Sequence, residues 1–346
     1  MPESNSVILT GFTRSELEEY LLEHGFKRYN AGQIFEWIYQ KQEKDFSLMS
    51  NLSLALREHL IQHCQIPVPG ITREQISADG THKFLLELDD NALIETVLMR
   101  HDYGLSLCVT SQIGCSMGCA FCASGLKKRQ RNLTVAELVG QIMAVSLALN
   151  VRISHVVVMG TGEPFDNYDH VIRFIRTIND DKGLAIGQRH ITVSTCGIVP
   201  KILQYADEPI RSNLAISLHA SNDSLRSRLM PINRRYPLSD IISACEVYFA
   251  KTSRRVTYEY ILLAGVNDSL EQANELADLL RGQNAYVNLI PYNPVGEFTF
   301  KQTNNAQALA FLDRLSKRGI NAILRKEQGA DIQAACGQLR LHSGDG

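Results

Sequence analysis

LSLCVTSQIGCSMGCAFC, residues 105–122, runs from an apolar, β-branched stretch straight into three cysteines, Cys115, Cys119 and Cys122, at the spacing CxxxCxxC. The stretch reads as a strand, and the loop after it can curl so that three thiolates meet one metal centre. Three is the informative count. A structural zinc takes four ligands and a fully ligated [4Fe-4S] cluster takes four cysteines, so three thiolates leave one position open. A zinc site completed by Cys108 or a distant histidine is the bland alternative.

Downstream, short β-rich runs alternate with amphipathic stretches. The strand candidates after LSLCVTS are HVVVMG, HITVST, NLAISLH, RVTYEYILL, YVNLIPY and NAILRK; the helix candidates are Thr134 to Leu149, Tyr168 to Ile178, Val199 to Tyr205, Ser239 to Lys251, Ser269 to Leu280 and Asn305 to Lys317. About six βα units predict an α/β fold, a partial or complete parallel (β/α) barrel with its working loops at the carboxyl ends of the strands. Upstream, Ile71 to Arg100 alternates around turn signals at Asp79-Gly80 and Asp89 to Asn91, which predicts two or three antiparallel strands. Earlier still, Ser15 to Glu23, Ala31 to Gln42 and Leu52 to His63 have helical spacing. The expected organisation is a helical accessory domain over 1–65, a β-hairpin extension over 66–104 and a barrel over 105–340 that ends in a C-terminal loop.

The 346 residues carry 45% hydrophobic side chains, a net charge of -2 and a pI near 6.6, so affinity for nucleic acid has to come from local patches. Eight cysteines are too sparse for a disulfide scaffold. The opening MPESNSVILTGFTRSE lacks a charged stretch followed by an apolar core, and no apolar run reaches about 18 residues. The expectation is a protein of the reducing cytoplasm, with no membrane contact, whose thiols serve as ligands and nucleophiles.

Other residues at predicted strand ends are candidates for ligand contact. GTGEP, Gly160 to Pro164, combines glycines that admit close backbone approach with a carboxylate that can pair with an amine, and Gly162 and Glu163 are the chosen pair. Ser194, Ser217, Leu218, His219 and Asn293 occupy corresponding strand ends, where caps and turns are equally ordinary uses. Read singly, His219 is a packed histidine, Cys108 and Cys336 small core residues, and Glu95 a solvated strand carboxylate. Lys127, Lys128, Arg129 and Arg131 follow the cysteine loop, and Arg226, Arg228, Arg234 and Arg235 flank MPIN; both groups adjoin predicted site loops and suggest phosphate contact. Lys251, Arg254 and Arg255 form a third basic group.

Taken together, IETVLM, LCVTSQIGCSMGCAFCASG, GTGEPFDN, HITVSTCGIVPKI, AISLHAS, RLMPINRRYPL, GVNDS, VNLIPYNP and GADIQAACGQLR resemble, in order and along nearly the whole chain, the RlmN-type RNA methyltransferases of the radical S-adenosylmethionine (SAM) superfamily. NAGQIFEWIY looks like that family's accessory domain. The resemblance implies a radical SAM barrel whose Cys115, Cys119 and Cys122 hold a [4Fe-4S] cluster. It implies SAM contacts from Gly162, Glu163, Ser194, Ser217, Leu218, His219 and Asn293.

It also implies methylation of adenine carbon 2 in the peptidyl-transferase loop of 23S rRNA, and of the adenosine 3′ to the anticodon in certain tRNAs. That ring carbon is electron-poor, so a radical route through a methylated Cys336 is expected. Cys108 would then release the product by forming a disulfide with Cys336, and Glu95 would be the general base. Two SAM per turnover, an electron donor such as flavodoxin or ferredoxin, and a monomer complete what the resemblance implies. The Cfr-type carbon-8 enzymes are the sister reading; GEPFDN and the EQG at Glu327 to Gly329 favour carbon 2. A non-catalytic RNA-binding protein with a structural metal is the reading from another class. Cys64, Cys196 and Cys245 are expected in the core.

Overall fold

A computed structural model of the chain describes residues 6–339. The N-terminal module comprises β1 (Val7–Ile8), α1 (Arg14–Glu23), α2 (Tyr29–Phe35, continued by a π-helical turn over Glu36–Gln40), α3 (Leu54–His63) and β2 (Cys64–Gln65). Thr13 and Glu16 form a capping box that starts α1, and the Ser53 hydroxyl accepts the Leu56 amide to start α3. The module's Leu9 and Phe35 share one apolar cluster with Ile142 and Phe174 of the barrel helices.

The antiparallel stretch contributes β3 (Gly70–Ile76), β4 (His82–Glu87), β5 (Leu93–His101) and β6 (Gly104–Cys108). β6 pairs antiparallel with β5 on one side and parallel with β9 (His155–Val158) on the other, so the extension and the barrel are one continuous sheet. The parallel run continues through β10 (Ile191–Thr195), β11 (Asn213–Ser217), β12 (Val256–Leu262), β13 (Ala285–Pro291) and β14 (Asn321–Leu324). A small ribbon, β7 (Gln112–Ile113) with β8 (Arg131–Asn132), brackets the cysteine loop. The helices are α4 (Val135–Leu149), α5 (Tyr168–Asn179), α6 (Val199–Asp207), α7 (Asp223–Leu229), α8 (Leu238–Thr252), α9 (Leu270–Leu279) and α10 (Asn305–Lys317). The sheet order is β14-β13-β12-β11-β10-β9-β6-β5-β4-β3, leaving β14 and β3 as edges, so the barrel is partial.

Two features depart from the sequence expectation. Strand β6 belongs to both the meander and the barrel, because its two edges serve different partners. Helix α7 was not expected: seven residues rich in charge give too little apolar periodicity, and it forms because the Asn222 side chain caps the Leu225 amide while Leu225, Arg226 and Leu229 turn inward.

Close backbone approach fixes the start of the loop after β9. Gly160 donates its amide to the Val109 carbonyl at 3.0 Å, and a β-carbon on it would lie 2.7 Å from Thr110 Oγ1 and 2.8 Å from both Thr110 N and Val109 O. Gly160→Ala must therefore push two strand ends apart and should cost about 1–3 kcal/mol, read as a lowered midpoint in denaturant unfolding. Unchanged stability would mean that this approach is not a constraint.

Candidate active site

The cysteine loop is stitched at three points. Cys115 donates its amide to Lys127 O at 3.0 Å, Ala120 to Leu229 O of α7 at 2.9 Å, and Ala123 to Gly337 O of the C-terminal segment at 2.8 Å. Cys115, Cys119, Cys122, Gly162, Glu163, Ser194, Ser217, His219 and Cys336 thereby line one solvent-open cleft of about 890 Å³, in the range of ligand sites. An adjoining cavity is lined by Cys108, Asn293, Met99 and Arg325, and it shares Cys122 and Cys336 with the cleft. Leu218 is fully buried; it contributes backbone, its amide donating to Glu259 O at 3.0 Å and its carbonyl accepting from Arg226 Nε at 3.0 Å.

Burial is the main cause of the thiols' titration. It pushes Cys115 up to about 11 and raises Cys119 and Cys122 above the ordinary thiol value, with the charges of neighbouring thiols adding to the effect. Among the described residues, no group of three or more His, Cys, Asp or Glu side chains is disposed to hold a single metal ion. A cluster makes a different demand, since each thiolate ligates its own iron.

Glu163 is buried, and its carboxylate already serves the loop: one oxygen accepts the Phe165 amide at 2.9 Å and the other the Cys196 amide at 2.7 Å. Burial raises its pKa, which those hydrogen bonds partly offset. Gly162 has φ +109°, and a β-carbon there would meet Gln112 and Ser111. His219 Nδ1 accepts the Ile261 amide at 3.0 Å, which leaves the proton on Nε2. Burial first, and the Arg226 charge second, lower its pKa to about 3, so the ring is neutral.

At the C-terminal side, Arg325 follows β14 and donates from Nη1 to Cys336 Sγ at 3.3 Å. Cys108 is buried in β6 within an apolar cluster that includes Val97, Met99, Ala334 and Leu339. Burial, then the proximity of Cys336, pushes its thiol up to about 12, against the opposing Arg325 charge. Glu95 shares a strand face with Val97 and Met99 but lies in a separate small cavity beneath Asp331 to Gln333, paired with Lys83 at 3.3 Å.

Sequence reasoning missed Arg325, Lys83, Glu259 and the cavity-lining role of Cys196. Arg325 sits just past the β14 end, much as Asn293 does past β13, and that parallel was available. Cys64 and Cys245 are buried, as expected. The basic groups need correction. Arg226 is fully buried and donates to the carbonyls of Leu218, Cys196 and Ser217 and to Asn233, so it holds strand ends instead of phosphate. Arg129 pairs with Asp166, Arg131 with Asp90 and Glu137, and Lys251 with Asp207. Lys127, Lys128, Arg228, Arg234 and Arg235 remain exposed beside the cleft loops. Among the described residues, no helix is long and apolar enough to cross a membrane.

A family model described as the radical SAM superfamily matches residues 109–280, and one described as the ribosomal RNA large subunit methyltransferase N-terminal domain matches residues 7–66. The chain is 54% identical over 338 residues to a probable dual-specificity RNA methyltransferase RlmN of Enterococcus faecalis, covering 95% of each chain. It is 52% identical to a protein of the same description from Streptococcus suis, covering 96% of this chain and 92% of that one. A crystal structure of a radical SAM methyltransferase from Sphaerobacter thermophilus superposes with TM-score 0.91 at 44% identity, over 96% of this chain and 99% of that one.

The two C-terminal-side thiols should differ in reactivity. At pH 7.5, iodoacetamide should label partly exposed Cys336 at least about tenfold faster than Cys108, which is buried and whose thiol is pushed up to about 12. Equal rates, followed by peptide mass spectrometry, would show that the burial of Cys108 does not protect it.

Proposed function

Because the chain belongs to the RlmN family of radical SAM RNA methyltransferases, we propose that it methylates carbon 2 of adenosine in the peptidyl-transferase loop of 23S rRNA and of the adenosine 3′ to the anticodon in certain tRNAs. The observation that carries this reading is the position of Cys336. Its thiol lines the cleft of the three clustered cysteines, opens onto the cavity of Cys108, and takes a hydrogen bond from Arg325.

The family's cofactors are a [4Fe-4S] cluster and SAM. The residues fit them: three thiols on one wall leave an iron free for SAM, and Gly162, Glu163, Ser194, Ser217, His219 and Asn293 offer polar and backbone contacts around it, with Leu218 supplying backbone. When bound, the pair supplies the methyl group and the radical that an electron-poor ring carbon requires, at two SAM per turnover. Cys336 acts as the methyl carrier, a role that suits a thiolate beside a guanidinium. The methylene radical on its sulfur bonds to ring carbon 2, giving a protein-RNA adduct whose unpaired electron would return to a bound cluster. Cys108 then attacks the Cys336 sulfur: an S–S bond forms, the C–S electron pair goes to the methylene carbon, and that carbon takes up a proton to become the methyl. Glu95 accepts the carbon-2 proton.

Lys127, Lys128, Arg228, Arg234 and Arg235 hold phosphates around an adenine that has to leave its stack. The enzyme works as a cytoplasmic monomer fed by a flavodoxin or ferredoxin.

Anaerobically reconstituted enzyme, incubated with SAM, a reductant and unmodified 23S rRNA fragments, should yield carbon-2 methyladenosine by nucleoside mass spectrometry, and Cys336→Ala should reduce it below detection. Carbon-8 methyladenosine would move the chain to the sister group. SAM cleavage without methylation of either carbon would overturn the substrate assignment.

A further inference from the structure

We propose that Lys83 is a positioning residue that keeps Glu95 ionised and in register with the segment carrying Cys336. Lys83 on β4 and Glu95 on β5 are diagonal neighbours on one sheet face, since Lys83 pairs in register with Val97 and Leu85 with Glu95. Each is only 6% exposed. The Lys83 ammonium lies 3.3 Å from Glu95 Oε1 and also donates to the Gln333 carbonyl at 3.4 Å. One cation thus bridges the carboxylate and the backbone leading to Cys336.

The same segment is fastened to the same hairpin by further bonds. Ser77 Oγ donates to Asp331 at 2.5 Å, the Ala78 amide donates to Asp331 at 3.2 Å, and the Gly329 amide donates to Asp79 at 2.9 Å. With the segment already held, a buried lysine is not needed as a fastener. Burying an ion pair is costly, and an apolar pair of similar volume is often no worse for stability. Farther along this face, Val97, Met99, Ala334 and Leu339 are indeed apolar. The pair therefore has a better explanation in the charge state of the carboxylate.

Among the described residues, the charged groups around Glu95 include Lys83 on β4, Arg73 on β3 and Asp331 on the covering segment. Lys83 is in direct contact, and an opposite charge at that distance favours the carboxylate over the carboxylic acid. In the step it serves, the carbon-2 proton passes to a Glu95 oxygen, the C–H electron pair stays with the ring, and Lys83 keeps its own proton. This inference rests on the proposed role of Glu95, and the experiment separates the two.

Reconstituted native enzyme, Glu95→Gln, Lys83→Gln and Lys83→Arg are each given SAM, reductant and the 23S rRNA fragment across a pH series. Cys336 S-methylation, the protein-RNA adduct on denaturing gels and product release are then measured. Glu95→Gln should accumulate adduct; turnover without adduct would sink the role of Glu95 itself. Lys83→Gln keeps a donor for Gln333 but no charge. It should methylate Cys336, accumulate adduct, and move the rising limb of adduct release up by about 1–2 pH units, about tenfold or more slower below that limb. Lys83→Arg should restore the limb. A native limb in Lys83→Gln, or slower release with no shift in pH, overturns the proposal. If Lys83→Gln fails to fold, the native profile decides alone: a release limb above about pH 7 would show that no cation holds Glu95 ionised.

Discussion

Parallel strands that end at a cavity leave backbone groups without ladder partners, and no buried amide or carbonyl can be left so without cost. The upper rim of this barrel is organised by a few side chains that meet that constraint. Arg226 gathers the carbonyls of Cys196, Ser217 and Leu218, which joins the ends of β10 and β11. Glu163 takes the amides of Phe165 and Cys196, and Gln141 both the amide and the carbonyl of Thr110. Asn267 spans His219, Ile261 and Leu263. Because these partners are buried and directional, the rim has one arrangement, and the cleft inherits its shape from it.

The open side of the barrel poses a separate problem. A sheet with free edges at β14 and β3 cannot close on itself, and the residues after β14 have to be carried back over the mouth. The antiparallel extension supplies the anchorage. Its Ser77, Ala78 and Asp79 bind the Asp331 side chain and the Gly329 backbone, while Ala123 and Ser124 of the cysteine loop hold Gly337 and Leu339. Cys336 is thus placed between two anchoring elements far apart in sequence.

The fold was largely legible because its signals are local. Each strand from HVVVMG to YVNLIPY is a short β-rich run with helical periodicity after it, and both patterns survive without knowledge of tertiary contacts. The three clustered cysteines and the GTGEP loop were legible for the same reason. What could not be read depends on pairing across the chain. Arg226 looked like part of a basic surface patch because a charge in sequence gives no sign of the carbonyls it will meet. Glu95 looked solvated because its strand alternates ambiguously, and only the register with β4 and the covering C-terminal segment bury it. Arg325 was invisible beside Cys336 because the loop that returns the thiol to it has no periodicity at all.

Cys108 and Cys336 place the same side-chain chemistry in two different environments. Cys108 sits on a central strand between apolar neighbours, and its thiol is held protonated far above neutral pH. Cys336 sits on an irregular segment with a guanidinium at its sulfur. In the proposed cycle the first encounter requires an anion at Cys336 and a silent thiol at Cys108; were both equally reactive, either could be methylated, and they could pair as a disulfide before any substrate arrived. The charge of Arg325 lowers the cost of an anion on Cys108, against burial and the neighbouring Cys336. In that cycle, once the Cys336 sulfur carries carbon, the opposing charge of Arg325 acts on the buried Cys108 thiol without a second free thiol beside it.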